Sequence, residues 1–482
     1  MLSDSVVLKE NHIQMITDQL GDIPSADAAN YGLYYYDTRH LSAFELRVNG
    51  LKPLYLSHTA DRNYIATFQF VNPNMLLPDG TRVPRQTLSI RRTRFVDGRM
   101  FQERLGFFNC NHFAVDLEVT LSFECDFLDM FAVRGYVQQR LAGQQHTRFD
   151  QKQLTFSYVG RDKVLRHTAV KFDQAGEPLS AQSVLFRLHL EPHTPVSLSL
   201  YVRPSVGRAR PLKAPAFDRH LESLARSYSD WDAACTRFET NNEYFDRSLL
   251  RQSRLDVRSL LEFDTIPANG SHPADKADST SHIVPSAGIP WYAVPFGRDA
   301  IITALQTLVY NPEIAEGTLR FLAYHQGKKV NPATEEEPGK IFHEIRRGEL
   351  ANLREVPHLP YYGTVDATPL FVILFAETYK WTGSEQLYSD LLPHAMRAVE
   401  WCNRYGDADG DGYVEYQPRS EGGVLNHGWK DSWDSLQYED GRVASTPAAL
   451  IEVQGYVYRA KRELSDLLEQ HGDTGSAKRL RS

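Results

Sequence analysis

Apolar side chains alternate with polar or small ones from about residue 30 to 205. Phe113, Val115, Leu117, Val119, Leu121 and Phe123 form one run; Val184, Phe186, Leu188, Leu190 and then Val196, Leu198, Leu200, Val202 form two more. A period of two puts each run's apolar side chains on one face of a strand. Asn49-Gly50, between 43–48 and 51–56, and Asp97-Gly98, between 88–95 and 99–107, suit the positive φ of tight hairpins. An antiparallel β-sandwich over residues 1–205 is predicted.

After Pro204 the period lengthens. Residues 217–238 read as an amphipathic helix within a linker, 206–240, and Asn241-Asn242 offer N-caps to a second helix through Leu261. A stretch rich in Pro, Gly, Ser and His, 264–295, reads as a long loop, and such loops are usually functional or mobile. Helical patterns recur over 300–309, 314–326, 368–382, 385–405 and 447–471, the last three closed by Gly383, Gly406 and Gly472. Thr446 and Pro447 supply an N-cap and an N1 proline for the last of these. Paired helices separated by long polar loops predict an (α/α)6 six-hairpin toroid over 241–482, with a plain bundle or solenoid as the alternative. Ser476 reads as the cap of one more helix. The six or seven helices expected after residue 240 are about half of what a closed toroid needs, so the sequence is expected to be the front half of a longer protein.

Charge narrows the partners. With 53 Lys and Arg against 61 Asp and Glu, the chain has a net charge of -8 and no basic run, so nucleic acid is not expected. The cysteines, Cys110, Cys125, Cys235 and Cys402, are far apart and lack metal-ligand spacing. A reducing, cytoplasmic setting is expected. No window approaches the ~18 apolar residues of a membrane span, and residues 1–18 carry acids and isolated apolar residues in place of a basic stretch and a continuous apolar segment, so neither export nor a membrane partner is expected. Oligomeric state is not legible.

The densest polar-aromatic cluster is Asn426-His427-Gly428-Trp429-Lys430-Asp431-Ser432-Trp433-Asp434-Ser435. Two carboxylates beside flat indole faces suit glycoside cleavage, which needs an acid to protonate the leaving oxygen and a surface for the sugar ring. The bland alternative is a Trp-anchored surface turn. A second cluster runs from Trp291 through Phe296-Gly297-Arg298-Asp299, where Asp299 could cap a helix and Arg298 could fork onto a carboxylate or vicinal hydroxyls. The third is Gly339-Lys340-Ile341-Phe342-His343-Glu344-Ile345-Arg346, and the fourth Tyr361-Tyr362-Gly363-Thr364-Val365-Asp366-Ala367-Thr368-Pro369. Asp407, Asp409 and Asp411, followed by Gly412, begin like a calcium loop. Its ninth position is Glu415, but its twelfth, where a bidentate Glu belongs, is Pro418.

In this order the four clusters resemble the amylo-alpha-1,6-glucosidase domain of the bacterial glycogen debranching enzyme family. Gly32-Leu33-Tyr34-Tyr35-Tyr36-Asp37-Thr38-Arg39-His40-Leu41-Ser42 is similar to the opening signature of that family's N-terminal sandwich. The resemblance spans about residues 30–470. It implies an inverting hydrolase of alpha-linked glucan or oligosaccharide, with Asp431 as general acid and the base in a part of the toroid beyond residue 482. It further implies Trp291, Arg298, Asp299, Glu344, Tyr362, Asp366, Trp429 and Lys430 as substrate-binding residues. A related acidic stretch recurs in such glucosidases as a turn without an obligatory ion, so no cofactor is expected, calcium at Asp407, Asp409 and Asp411 being the alternative. Competing readings are an inverting disaccharide phosphorylase, which needs one acid and lets phosphate attack, and a non-hydrolytic carbohydrate-binding fragment.

Overall fold

A computed structural model describes residues 5–25, 30–136, 145–207, 212–267 and 279–481. By contacts the chain forms two compact units. The first comprises residues 1–232, 240–260 and 348–353; the second comprises 233–239, 261–347 and 354–482.

The first unit is an antiparallel sandwich. Its eight-stranded sheet runs in the order His146–Asp150, Gln153–Val159, Leu165–Phe172, Pro195–Val206, Phe101–Asn109, Leu88–Val96, Ile65–Val71, Leu54–Arg62. A four-stranded sheet has the order Glu177–Pro178, Ser183–Leu190, Val115–Glu124, Ala43–Val48. A second four-stranded sheet is the meander Ser5–Glu10, Ile13–Asp18, Gly32–Tyr35, Thr38–Leu41. The alternating runs read from sequence are strands whose inward residues, including Val119, Leu121, Phe186, Leu188, Leu198 and Leu200, form one core. Within it lies a buried charge network. Arg92 pairs with Asp22 (2.6 Å) and Glu103 (3.1 Å), and Arg94 pairs with the same glutamate.

The two expected hairpins differ. Asp97-Gly98 turns Leu88–Val96 back onto Phe101–Asn109 in register, with Asp97 Oδ1 accepting from the amides of Arg99 and Met100 (2.9 Å each). At Asn49-Gly50 the tight turn forms, with φ of 45° and 76° and reciprocal hydrogen bonds between Val48 and Leu51. The chain then leaves for the other sheet: Ala43–Val48 belongs to a four-stranded sheet and Leu54–Arg62 edges the eight-stranded one. Asn49 explains the departure, since its side chain and amide bond the neighbouring strand at Glu118. Helix Phe217–Ala234 covers the first unit with Phe217, Leu224 and Tyr228 against Tyr64 and Phe95. The helix expected from Asn241-Asn242 begins as a π-helical stretch, Phe245–Leu250, with Asn242 Oδ1 accepting from the Phe245 amide (3.1 Å), and continues as Arg251–Leu260.

The second unit is helical. Gly297–Thr307, Pro312–Tyr324, Ala367–Thr382, Glu385–Arg404, Ile451–Gln470 and Thr474–Arg481 are joined in part by long loops. Ala367–Thr382 is buried on nearly all sides and packs on the four helices Gly297–Thr307, Pro312–Tyr324, Glu385–Arg404 and Ile451–Gln470. Apolar residues all round a helix require such a central position.

Three expected boundaries move. The 264–295 stretch is in part a hairpin, Leu261–Pro267 on Ser279–Pro285, whose intervening residues 268–278 lie outside the described residues. Thr446-Pro447 does not open the last long helix: Ala448–Ala449 instead pairs with Glu415–Tyr416, and the helix starts at Ile451 with extended Leu450 as cap. Ser476 is not a cap either. Asp473 Oδ1 accepts from the Ser476 amide (3.0 Å), and the helix already runs from Thr474.

Candidate active site

Arg298 is the hub of the second unit's polar cluster. The Gly297 amide donates to the His343 carbonyl (2.8 Å), and a β-carbon at 297 would collide with the Phe342 carbonyl oxygen. Glycine thus lets the Gly297–Thr307 helix begin against 342–344. Phe296 occupies the cap position and no side chain caps, so Asp299 lies in the first turn, where its charge suits the helix dipole.

Arg298 Nη1 donates to Asp366 Oδ2 (3.1 Å) and to the Gly428 carbonyl (2.7 Å), while Nη2 donates to Asp431 Oδ2 (3.1 Å). Nε lies 3.8 Å from Asp299 Oδ2. Burial by itself would lower the arginine's pKa, but Asp366, Asp299 and Asp431 together raise it. The guanidinium is a fixed cation whose fork joins carboxylates from separate segments.

The two forked carboxylates differ in access. Asp366 is 1% exposed and its other oxygen accepts from the Thr364 hydroxyl (2.7 Å), so both of its oxygens are committed. The Asp431 side chain is 39% exposed. Around Asp431 the loop is pinned by Val365, whose amide donates to the His427 carbonyl (2.9 Å), and by Asn426. The Asn426 carboxamide accepts from the Tyr416 hydroxyl (2.8 Å) and donates to the Ser432 carbonyl and the Ser435 hydroxyl. Trp429, Lys430, Trp433 and Asp434 are exposed. A surface pocket of about 400 Å³ is lined by Tyr416, Trp429, Lys430, Leu436, Glu452 and Tyr456. Burial, then Asp366 and Glu452, raise the Tyr456 phenol's pKa.

The remaining expected residues are engaged in pairings of their own, Glu344 bridging by its backbone to Phe296 and Tyr361. Glu344 is buried between Arg346 (2.7 Å) and His358 (2.9 Å). Burial would raise its carboxyl, but Arg346 and His358 outweigh burial and hold it well below the usual range. Arg346 Nη2 also donates to the carbonyl of half-buried Trp291 (3.0 Å). The Tyr362 hydroxyl donates to the His325 carbonyl (2.7 Å). Buried His343, edge-on to Phe296 at 5.3 Å, has its pKa lowered by burial.

Ligand oxygens of Asp407, Asp409, Asp411 and Glu415 all lie within 4.8 Å of one another, the arrangement a hard cation would use. The loop also closes itself: Asp407 accepts from the amides of Gly410 (2.8 Å) and Gly412 (3.1 Å). Burial, then Asp409 and Asp407, raise the Glu415 carboxyl.

The motifs thus bring together Arg298, Asp299, Asp366 and Asp431, with Trp429 and Lys430 adjacent. Glu452 and Tyr456 belong to the same neighbourhood but carry no local signal, since in sequence they are ordinary positions in an amphipathic helix.

Residues 8–201 match the family described as the N-terminal domain of some glycogen debranching enzymes. No curated protein matches the chain. Among solved structures, one described as a kojibiose phosphorylase from the human microbiome superposes with a TM-score of 0.52 at 10% identity, over 100% of this chain and 66% of that one. A bacterial glucoamylase complexed with acarbose superposes with a TM-score of 0.50 at 11% identity, over 98% of this chain and 65% of that one. The chain therefore spans just under two thirds of the length of these structures, and at such identities the likeness is one of fold. Residues 8–201 therefore resemble the N-terminal domain of some glycogen debranching enzymes, and the chain as a whole shares its fold, a β-sandwich followed by paired helices, with these two structures.

Proposed function

We propose that the protein cleaves alpha-linked glucosyl bonds, with Asp431 as the proton donor to the leaving oxygen. The observation that carries this reading is the Arg298 fork, which fixes a buried carboxylate, Asp366, and a half-exposed one, Asp431, in the same loop as exposed Trp429 and Lys430, which line a pocket. A carboxylate paired to arginine accepts hydrogen bonds and does not donate, so the reading requires Asp431 to take up a proton from solvent and turn from Arg298 towards the glycosidic oxygen when substrate arrives, passing that proton to the leaving group as the bond breaks. Asp299, half-exposed at the helix start, and the fork itself are left to bind sugar hydroxyls. Asp366, Glu344 and Tyr362, whose polar groups are already paired, act as supports beneath the pocket. Inversion also needs a second carboxylate roughly 6.5–9.5 Å from the acid. Glu452, which shares the pocket with Trp429 and Lys430, is the first to test by substitution with glutamine.

The fold is shared with a phosphorylase as well as with a glucoamylase, so the products decide the reaction class. Purified protein is incubated with branched and linear alpha-glucans and with disaccharides, with and without inorganic phosphate. Glucose released independently of phosphate is expected. Glucose 1-phosphate formed only with phosphate would replace hydrolysis by phosphorolysis, and no product under either condition would contradict the proposal.

A further inference from the structure

Glu335 stands outside every motif named above, yet it is one of the most constrained residues of the second unit. Its backbone has φ 56°, a region few non-glycine residues occupy, and its side chain is only 4% exposed. Oε1 accepts from the consecutive amides of Arg419 and Ser420 (3.1 Å each) and from the Tyr361 hydroxyl (3.3 Å). Oε2 lies 3.5 Å from Nε2 of His427, a ring that burial keeps neutral. A buried carboxylate gathering adjacent backbone N–H groups makes charge-assisted bonds of the stronger kind.

Tyr361 extends the clamp. Its hydroxyl accepts from the Val424 amide (3.0 Å), and Gly423 lies so close that a β-carbon there would collide with that oxygen. Nearby, the Ser420 hydroxyl donates to the Ala333 carbonyl (2.7 Å). Glu335 and Tyr361 therefore hold the 419, 420 and 424 amides, while Val365 and Arg298 hold the 427 and 428 carbonyls. Three residues later the same loop presents Asp431.

The geometry points to Glu335 as a positioning residue that sets the height and orientation of the loop bearing Asp431. This rests on the glycoside-cleaving reading for its catalytic consequence but not for the clamp itself. A misplacement of about 1 Å in a reacting group costs on the order of 100-fold in rate, so loosening this end of the loop should appear in kcat.

The test compares Glu335→Ala, Glu335→Gln and Tyr361→Phe by steady-state kinetics and by amide hydrogen exchange. Glu335→Ala is expected to lower kcat roughly 10- to 100-fold with KM changed less than about twofold, and to speed exchange at Arg419 and Ser420. Glu335→Gln keeps a carbonyl acceptor and is expected to retain kcat within about threefold. Tyr361→Phe is expected to speed exchange at Val424. Normal kcat and unchanged exchange in a folded Glu335→Ala protein would overturn the proposal. So would equal damage by Gln and Ala, or faster exchange spread equally over the Ile451–Gln470 helix. If the native protein turns over no glucan, that result counts against the Asp431 reading, and the exchange measurements still decide the clamp.

Discussion

Asp366 and Asp431 share one guanidinium and separate by access, which fixes what each substitution should do. Asp366→Asn removes the buried anion from Arg298 Nη1 without opening the pocket, so the fork loses its inner anchor. We expect kcat/KM to fall about 10- to 100-fold with a modest loss in melting temperature, read by kinetics and calorimetry. Arg298→Lys should fall at least as far, because one ammonium cannot reproduce the planar fork onto Asp366, Asp431 and the Gly428 carbonyl.

Glu344 gives a pH signature. Its folded-state pKa lies below its unfolded value, so the unfolded chain binds the proton first on acidification. The stability it contributes is complete above the unfolded carboxylate value, about 4.3, and is lost as pH falls towards the folded value. Denaturation midpoints of the native protein and of Glu344→Gln should therefore differ most near neutrality and converge below about pH 4. A gap that stays constant with pH would contradict the Arg346 and His358 pairing.

At the scale of elements, sequence periodicity revealed strands and helices best where one face is buried. Val115–Glu124 was legible because its inward residues alternate without interruption, and Ser183–Leu190 because alternation resumes after the buried run Val184, Leu185 and Phe186. Boundaries were not legible where backbone groups find partners far along the chain. Asn49 turns the chain as its dipeptide suggests, but the sheet that the next strand joins is settled by long-range pairing. Thr446-Pro447 has the composition of a helix start, and the pairing of Ala448–Ala449 with Glu415–Tyr416 overrides it. The same distinction holds at the site. Arg298 and Asp431 stand in recognisable motifs, whereas Glu335, Glu452 and Tyr456 become neighbours of that chemistry only through tertiary packing.

Two elements carry predictions of their own. Gly297→Ala should destabilise the second unit by more than ordinary helix propensity would suggest, because the new β-carbon meets the Phe342 carbonyl oxygen; a stabilised protein would contradict the close approach. The acidic turn closed by Asp407 hydrogen bonds is expected to hold without an ion. Melting curves with chelator and with added calcium should then superpose, whereas a calcium-dependent rise would assign a cation to Asp407, Asp409, Asp411 and Glu415.

For the whole molecule, likeness of fold reaches a phosphorylase and a glucoamylase alike, and at 10% and 11% identity it carries no information about substrate. Function has to be argued from the Arg298 cluster, and there the net charge of -8 is consistent with a neutral polyhydroxy substrate. Asp431 and Asp434 provide the sharpest contrast in the chain: three residues apart in one loop, with the Arg298 fork reaching Asp431. The most direct test of the account is turnover of alpha-glucan by Asp431→Asn beside Asp434→Asn, with sugar affinity and melting temperature measured on the same preparations. The account predicts that Asp431→Asn loses roughly 100- to 10,000-fold in kcat while still binding sugar and melting near the native temperature, and that Asp434→Asn stays close to native. Near-native turnover by Asp431→Asn would contradict it.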